Sequence, residues 1–281
     1  MTILKDKIAV VTGASRGIGR GIALALGDAG ATVYVTGRSI KGEATTENLP
    51  GTIEETAEMV TARGGTGIPV RCDHTNNAEI ASLFERIDRE QGKLDVLVNS
   101  AWGGYAYHEM QSFTVPFWEQ PLRHWDGMFT AGVRATLETT RLAMPTLLTQ
   151  TSGLIINITA WLEETYLKNL FYDTAKAAIN RMTFGMAQEL KAHNITVVAL
   201  SPGFVRTERV AAAFEAIGNK AYVHFTESPE YTGRAVVALA ADPEVTSKSG
   251  ALLYVGDLAA VYHFTDIDGR YIPRFTIPKE E

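Results

Sequence analysis

Short runs of valine, isoleucine and leucine alternate along the chain with longer stretches in which apolar residues recur at helical spacing. The runs are nearly continuous in apolar residues, which is typical of parallel strands covered on both faces. They predict seven strands, at 8–12, 32–37, 66–72, 94–99, 153–159, 195–200 and 251–256. The intervening stretches predict helices at 18–29, 52–63, 77–91, 122–149, 171–192 and 229–241. Pro145 is expected to kink or break the fourth helix.

Strands that alternate with helices indicate parallel pairing through right-handed crossovers. The expected fold class is α/β, with a doubly wound, mostly parallel seven-stranded Rossmann-type sheet and helices on both faces. No internal repeat or linker divides the 281 residues, so 1–281 is expected to form a single domain. Loops at the carboxyl ends of such strands build binding sites. The loops at 100–121, 160–170 and 201–228 are therefore expected to form the substrate site.

Composition narrows the classes of function. The chain is 46% hydrophobic and 21% charged, as folded globular proteins are, and its net charge of −6 comes with no long basic run. A nucleic-acid partner is not expected, because phosphate backbones require clustered lysine and arginine. Cys72 is the only cysteine and the six histidines lack metal-ligand spacing, so neither a disulfide nor a metal site is expected. No apolar run approaches the ~20 residues of a membrane span and no secretory signal pattern is present, which indicates a cytoplasmic protein.

A glycine-rich segment, TGASRGIG at 12–19, joins the first predicted strand to the first predicted helix. Its G-x-S-x-G pattern is that of a hydrolase nucleophile elbow, with Ser15 as the nucleophile, although such an elbow usually follows several strands. The spacing of Gly13, Gly17 and Gly19 differs from G-x-G-x-x-G but serves the same purpose, since glycines let the backbone approach a diphosphate at the helix N-terminus. We favour the dinucleotide site and keep the hydrolase as an alternative.

Two arginines near this loop indicate which dinucleotide is bound. Sites for NAD place an acidic residue at the ribose hydroxyls about 20 residues beyond the loop. Gly37 and Arg38 hold that place here, and Arg16 lies within the loop itself. Two guanidinium groups suit the 2′-phosphate of NADP(H), which accepts charge-assisted bidentate hydrogen bonds. We therefore expect NADP(H) to be favoured over NAD(H); the alternative for each arginine is a solvated surface charge.

Tyr172 and Lys176 lie four residues apart in FYDTAKAA, at 171–178, and so share one face of a predicted helix. A phenol ordinarily has a pKa too high for acid–base work at neutral pH, and a nearby ammonium lowers that pKa. Such a pair can exchange a proton with a carbonyl or alcohol oxygen while a hydride moves at the carbon. The spacing alone is a weak signal, because a half-buried helix tyrosine is the alternative.

Taken together, the motifs resemble those of the short-chain dehydrogenase/reductase family. TGASRGIG, Asn99 after the fourth strand, Tyr172-x-x-x-Lys176 and SPGFVRT at 201–207 occur in the family's order and spacing. The resemblance covers nearly the whole chain. Further stretches are similar to one branch of the family: RGIALALGDAGATVYVTGR, DREQGKLDVLVN, FWEQPLRHWD and DIDGR.

The resemblance implies one NAD(P)-binding domain that reduces a carbonyl of a hydrophobic small molecule, or oxidises the matching alcohol. Tyr172 would be the general acid/base, Lys176 would lower its pKa and hold the nicotinamide ribose, and Thr159 would orient the substrate. Family members are commonly dimers or tetramers, so a homodimer or homotetramer is expected. The implied cofactor residues are Gly13, Ser15, Arg16, Gly17, Ile18, Gly19, Arg38, Asp73, Asn99, Ala101, Tyr172, Lys176, Pro202, Gly203, Val205 and Thr207.

Several of these residues have implied roles of their own. Asp73 would meet the adenine, and Asn99 and Ala101 would line the adenosine ribose and the central cleft. Pro202 and Gly203 would shape a turn beneath the nicotinamide. The carboxamide would be bound by the Val205 backbone and the Thr207 hydroxyl.

Three departures from the family pattern bear on substrate handling. Thr159 stands thirteen residues before Tyr172, where the family usually has serine. Gly132 stands where many members have an asparagine that anchors a proton-relay water, and Trp102 stands where the motif after the fourth strand usually has glycine. These departures motivate a second alternative, a non-catalytic NADPH-binding sensor or scaffold on the same fold.

Aromatic residues are frequent in the loops expected to cover the site, and they predict a wall for a hydrophobic substrate. Subunit contacts or loop packing explain them almost as well. Trp102 and Trp161 are the expected substrate contacts. The full set is Trp102, Tyr105, Tyr107, Phe113, Phe117, Trp118, Trp161, Tyr166 and Phe171.

Overall fold

A seven-stranded parallel sheet forms the centre of the computed structural model, which describes residues 2–105, 115–161 and 165–276. The strand order is β3-β2-β1-β4-β5-β6-β7, and every neighbouring pair is parallel. The predicted fold class is therefore confirmed. The strands are β1 Ile8–Val11, β2 Thr32–Gly37, β3 Thr66–Arg71, β4 Val96–Asn99, β5 Gly153–Ile158, β6 Ile195–Ser201 and β7 Leu252–Tyr254.

Ten α-helices are found within the described residues. They are α1 Gly17–Asp28, α2 Ile53–Ala62, α3 Asn77–Gln91, α4 Leu122–Met128, α5 Ala135–Leu148, α6 Leu170–Leu190, α7 Glu208–Ala216, α8 Tyr222–Phe225, α9 Pro229–Ala241 and α10 Val255–Tyr262. None of the described helices is both long and apolar enough to cross a bilayer. The segment 201–228, expected to be a loop, contains α7 and α8, and α10 begins where the last predicted strand was expected to continue.

The predicted break at Pro145 is wrong. Helix α5 continues through Pro145 to Leu148, so the amide donor that the proline lacks does not end the helix. The irregular turn lies earlier, where the π-helix Phe129–Arg134 joins α4 to α5. Such π-turns widen a helix locally and often occur at functional sites.

Strand alternation places two hydrophobic clusters on opposite faces of the sheet. In β1, Ala9 and Val11 face a cluster covered by α1, α2, α9 and α10. Ile8 and Val10 face a second cluster covered by α3, α5 and α6. Both faces are therefore buried, which explains the nearly continuous apolar runs in the sequence.

The strand order reverses between β1 and β4. The chain passes from β1 outward to β2 and β3, and then crosses back to pair β4 with the other edge of β1. In open α/β sheets, a crevice forms at the carboxyl ends of the strands at such a reversal. The glycine-rich segment after β1 and the loop after β4 meet at this point.

Helices α1 and α9 cross in direct backbone contact. A Cβ atom at Gly21 would lie 2.2 Å from the carbonyl carbon of Pro229, and a Cβ atom at Gly233 would lie 2.5 Å from the Gly21 oxygen. Neither helix can move away without opening the core beneath it. The crossing therefore depends on glycine at both positions.

We expect Gly21→Ala to lower the free energy of unfolding by about 1–3 kcal/mol, because the added methyl overpacks a backbone contact. Gly185→Ala in α6 is the matched control, since nothing lies within 4 Å of a Cβ at that position. The control should be neutral or more stable by up to about 1 kcal/mol, because alanine favours helix. Urea unfolding midpoints measure both variants; equal stability of the two would contradict the prediction.

Candidate active site

The glycine-rich turn after β1 is packed against the loop after β4. The Thr12 hydroxyl accepts hydrogen bonds from the amides of Ser100 at 2.9 Å and Ala101 at 2.8 Å. A Cβ at Gly13 would lie 2.8 Å from the Cα of Ala101, and Gly13 has a φ of +64°. Only glycine fits this close approach. The turn and the β4 loop are therefore held as one unit at the crevice.

The N-terminus of α1 holds a carboxylate from a distant part of the chain. The Gly17 amide donates to Oε2 of Glu208 at 2.7 Å, and Arg20 lies 3.7 Å from the other carboxylate oxygen. Arg16, the residue that precedes the helix, provides no side-chain cap. Because the first amides of a helix carry partial positive charge and lack helical partners, they attract anions. The geometry thus identifies this turn as an anion site.

The two candidate phosphate-binding arginines have different surroundings. The Arg16 guanidinium donates to Ser39 Oγ at 2.9 Å and to the carbonyl oxygens of Thr46, Leu49, Pro50 and Gly51 at 3.2, 3.1, 3.0 and 3.1 Å. These bonds occupy most of its donors, so Arg16 organises the loop after β2. Arg38 is 43% exposed, and its Nη1 lies 3.7 Å from Oδ2 of Asp73. Both arginines line the cleft, where Arg16 is held by loop carbonyls and Arg38 lies beside one carboxylate.

Asp73 lies just after β3, where it stabilises the turn that follows the strand, and it also lines the cleft. Its Oδ1 accepts hydrogen bonds from the amide and the hydroxyl of Thr75, at 2.9 and 2.8 Å. Burial opposes ionisation, but these bonds and the charge of Arg38 outweigh it and lower the pKa of Asp73. The carboxylate is thus held charged beside Arg38.

His74, which the sequence did not single out, lies fully within the protein below Asp73. Its Nε2 is 2.7 Å from the Thr36 hydroxyl and its Nδ1 is 3.0 Å from the Thr139 hydroxyl. Burial lowers the pKa of His74 to about 4, so the ring is neutral. It links β2 to α5 under the cleft; only its position beside Asp73 could have drawn attention to it.

Tyr172 and Lys176 both face the cleft from α6. Asn169 starts this helix by accepting a hydrogen bond from the Tyr172 amide at 2.9 Å. The Lys176 ammonium is buried, 3.8 Å from the ring centroid of Trp102 and 5.5 Å from that of Tyr172. Trp102 meets the ring of Tyr172 edge-on, with centroids 5.5 Å apart. The four-residue spacing predicted that Tyr172 and Lys176 share one face of a helix, and both side chains do face the cleft from α6.

The electrostatics of this pair differ from the expectation. Burial lowers the pKa of Lys176 to about 7. Burial also raises the pKa of Tyr172 well above its ordinary value, and Tyr105 and Asp173 raise it further. The predicted lowering of the Tyr172 pKa by Lys176 is therefore not what this arrangement produces. Desolvation disfavours the charged form of both groups.

Trp102 and Gly132, two separate departures in the sequence, form one contact. A Cβ at Gly132 would lie 2.5 Å from Cζ3 of Trp102, and a Cβ at Gly104 would lie 2.8 Å from its Cε2. The indole thus fills the room that a side chain at 132 would need. Because position 132, in the π-helix Phe129–Arg134, is a glycine, the Trp102 indole can occupy this space.

Thr159 is buried at the end of β5, and its hydroxyl donates to the carbonyl oxygen of Lys176 at 3.4 Å. It lines the same cleft as Tyr172 and Lys176. Trp161 lies two residues further on, half-buried, with its amide donating to Ser201 Oγ at 3.0 Å. The expected aromatic residues Tyr107 and Phe113 lie outside the described residues.

The turn 201–207 rests on a buried carboxyl that the sequence did not reveal. Val205 pairs with Glu227 in a short parallel bridge, and a Cβ at Gly203 would lie 2.6 Å from Oε2 of Glu227. Burial raises the pKa of Glu227 to about 8. The hydroxyl of Thr207 caps α7 by accepting from the amide of Val210 at 3.3 Å.

A continuous cleft brings most of the predicted cofactor residues together. It is lined by Gly13, Ser15, Arg16, Gly17, Ile18, Gly19, Arg38, Asp73, Ala101, Tyr172, Lys176 and Thr207, and also by Thr159 and Trp102. The exceptions are Asn99, Pro202, Gly203 and Val205. Asn99 is buried instead, where its amide donates to Thr140 Oγ1 at 3.0 Å and Asn157 Oδ1 at 2.9 Å. It ties β4 to β5 and α5.

Comparison with known proteins decides the family. The sequence model of the short chain dehydrogenases matches residues 7–218. The chain belongs to the short-chain dehydrogenase/reductase family. It is 40% identical over 281 residues to dehydrogenase/reductase SDR family member 1 of Mus musculus, covering 95% of this chain and 85% of the relative, which confirms the predicted branch.

Solved structures of the family share the fold. A short-chain dehydrogenase from Mycobacterium thermoresistibile superposes with a TM-score of 0.81 at 24% identity, covering 98% of this chain and 95% of that one. A 7α-hydroxysteroid dehydrogenase complexed with NADH and 7-oxo glycochenodeoxycholic acid superposes with a TM-score of 0.72 at 26% identity, covering 89% and 93% of the two chains. This short-chain dehydrogenase/reductase is accordingly an NAD(P)-dependent oxidoreductase.

We expect Glu208→Gln to tighten NADPH binding by about two- to fivefold, because a carboxylate at a helix N-terminus is worth roughly 0.3–1 kcal/mol and competes with a bound diphosphate. Glu215→Gln, an exposed glutamate in the same helix α7, makes the same charge change away from the turn. Fluorescence titration with NADPH, and competition with inorganic pyrophosphate, compare both variants with the wild type. Unchanged or weaker binding in Glu208→Gln would contradict the prediction.

Proposed function

We propose that this chain is an NADP(H)-dependent oxidoreductase that reduces a carbonyl of a hydrophobic small molecule, or oxidises the matching alcohol. The observation that supports it most is the placement of Tyr172 and Lys176 in the same cleft as the glycine-rich turn. A cytoplasmic location and a homodimeric or homotetrameric assembly are part of the proposal and rest on the sequence alone.

The residues present fit a dinucleotide. The close-packed glycine turn presents backbone amides at the start of α1, and the Gly17 amide already donates to the Glu208 carboxylate. In the proposal, these amides hold the diphosphate, Asp73 faces the adenine, and Lys176 holds the nicotinamide ribose. When bound, the nicotinamide supplies or accepts the hydride.

The chain's own part in the reaction is to handle the proton. The Tyr172 hydroxyl would donate a proton to the substrate oxygen in reduction and accept one in oxidation. A proton transfer of this kind contributes typically 10²–10⁴-fold to rate. Thr159 would orient the substrate oxygen, and Trp102 would exclude water from the space beside the phenol. Of the aromatic residues expected to form a substrate wall, Trp102 and Tyr105 line the cleft and favour a hydrophobic substrate, whereas Phe117, Trp118 and Tyr166 are exposed and Trp161 lies outside the cleft lining.

The preference for NADP(H) rests on Arg38. The family uses either cofactor, and one relative was solved with NADH, so the preference must come from residues of this chain. Arg38 lines the cleft, is 43% exposed and lies where NAD sites place an acidic residue. Its guanidinium suits the 2′-phosphate in charge and geometry.

The two alternatives drawn from the sequence find less support. Ser15 Oγ forms no hydrogen bond with a histidine or a carboxylate within the part of the chain that the structure describes, so it lacks the base that a serine nucleophile requires. For a sensor or scaffold, the acid–base pair in the cleft would have no purpose. We therefore propose the oxidoreductase alone.

Tyr172→Phe should lower kcat/KM by about 100-fold or more, because it removes the proton donor, while the NADPH Kd stays within about twofold. The assay is NADPH consumption over a panel of ketones, aldehydes and quinones. Tyr271→Phe, at a half-exposed tyrosine outside the cleft, is the matched control and should keep full activity. Full activity in Tyr172→Phe would remove the proposed mechanism.

The wild type should bind NADPH more tightly than NADH, and Arg38→Gln should weaken NADPH binding by about tenfold or more, since a hydrogen bond to a charged group contributes roughly 1.5–3 kcal/mol. Binding of NADH to this variant should change little. Arg181→Gln on the outer face of α6 controls for the lost charge. Equal or tighter NADH binding in the wild type would refute the cofactor assignment.

A further inference from the structure

We propose that Arg209 and Glu47 form an ion pair that bridges the cofactor cleft and holds helix α7 over a bound dinucleotide. In this role the pair slows the release of the cofactor and takes no part in the proton transfer. The inference rests on the proposed function only in requiring that a dinucleotide occupies the cleft, whichever of NADP(H) and NAD(H) is preferred.

Arg209 and Glu47 come from segments on opposite sides of the crevice. Glu47 belongs to the loop after β2, and Arg209 lies in the first turn of α7, which follows β6. Strands β2 and β6 lie on opposite sides of the reversal between β1 and β4, so a contact between their loops must cross the crevice. Both residues line the cleft, and Nη2 of Arg209 forms an ion pair with Oε2 of Glu47. The two sides of the cleft are thereby joined.

A third segment also meets the arginine. Its guanidinium lies 5.4 Å from the ring centroid of Tyr105, in the loop after β4. A guanidinium at this distance from an aromatic ring is attracted to the negative face of the ring. Arg209 therefore links α7 to the loop after β4 as well as to the loop after β2.

The loop that carries Glu47 is held independently of α7. Arg16 donates to the carbonyl oxygens of Thr46 and Leu49 at 3.2 and 3.1 Å, and the Thr45 hydroxyl donates to the same Leu49 oxygen at 2.6 Å. Glu47 itself has a φ of +63°, in the left-handed region that residues other than glycine seldom adopt. Surrounding contacts must hold such a backbone, so the carboxylate is presented to the cleft by a fixed loop.

Helix α7, in contrast, has little burial of its own to hold it in place. None of its residues is buried, and Phe214 meets Phe204 of the turn 201–207 edge-on, with ring centroids 6.1 Å apart. Segments with few buried contacts open at low free energy. The charged contacts made by Glu208 and Arg209 in the first turn are therefore important for keeping α7 over the cleft.

These two contacts respond differently to a bound dinucleotide. Glu208 accepts a hydrogen bond at 2.7 Å from the Gly17 amide, which is the group proposed to hold the diphosphate, so a bound cofactor would displace it. The pair of Arg209 with Glu47 uses no amide of the glycine-rich turn and can persist. Once Glu208 is displaced, this ion pair still joins α7 to the loop after β2.

The pair is also partly shielded from solvent. The side chains of Arg209 and Glu47 are 28% and 19% exposed, so water and salt screen their attraction less than that of a fully exposed pair. Arg63 and Glu230 form an ion pair of nearly equal exposure, 28% and 21%, away from the cleft. That second pair provides a matched control.

Arg209→Gln and Glu47→Gln each remove one charge and keep most of the side-chain volume. We expect each to increase the rate constant for NADPH release by about three- to tenfold, because a partly buried ion pair no longer holds α7 closed. The double variant should release NADPH no faster than the faster single variant, since both changes break one interaction. Stopped-flow fluorescence with a chase of excess NADP⁺ measures the rate, and Arg63→Gln should leave it unchanged.

Hydrogen exchange tests the same contact in the free protein. The amides of α7 should exchange about twofold faster or more in Arg209→Gln and Glu47→Gln than in the wild type, because the helix opens more often. In Arg63→Gln the exchange of α7 should not change. Circular dichroism checks that each variant is folded.

The outcomes separate this inference from the proposed function. Unchanged release and unchanged exchange in both variants would overturn the role of the ion pair. Faster release from Arg209→Gln with slower release from Glu47→Gln would also overturn it, because Arg209 would then bind the phosphates directly and Glu47 would compete with them. The release rates are measured with NADH as well. A wild type that prefers NADH removes the NADP(H) assignment, while the ion pair is still tested by NADH release and by hydrogen exchange.

Discussion

The close approach of two backbones at the carboxyl end of the sheet is the constraint on which the site depends. The turn after β1 and the loop after β4 meet without an intervening side chain at Gly13, and the Thr12 hydroxyl binds two amides of the β4 loop. One contact thereby aligns the anion site at α1 with the aromatic cluster around Trp102. Neither half of the cleft could be displaced alone.

The chemistry beside that contact is dominated by desolvation. Burial lowers the pKa of Lys176 to about 7 and raises the pKa of Tyr172, so it disfavours the charged form of both groups. The indole face partly offsets the cost of a buried ammonium through a cation–π contact, worth up to about 2 kcal/mol when desolvated. The indole face of Trp102 is thus the group that meets the buried charge of Lys176.

Local signals made most of the fold and the centre of the site predictable. The strands follow from apolar runs, the turn at Gly13 from its glycines, and the pairing of Tyr172 with Lys176 from helical spacing. Contacts between distant segments were not predictable in this way. The fit of Trp102 over Gly132, the carboxylate of Glu208 on Gly17 and the loop carbonyls around Arg16 each join residues about thirty or more positions apart. Sequence indicates what such residues can bind but not which partner they meet.

The region around the buried Glu227 is also contacted by residues from the segment after α10. Asp266, also buried, accepts a hydrogen bond from the Ser228 amide at 2.8 Å, and a Cβ at Gly203 would lie 3.2 Å from the Cβ of Phe275. The segment beyond α10 therefore braces the turn 201–207, although it lies outside the stretch 7–218 that defines the family. A change in the C-terminal segment would therefore be transmitted to this turn, and to Thr207 where the turn meets the cleft, without altering Tyr172 or Lys176.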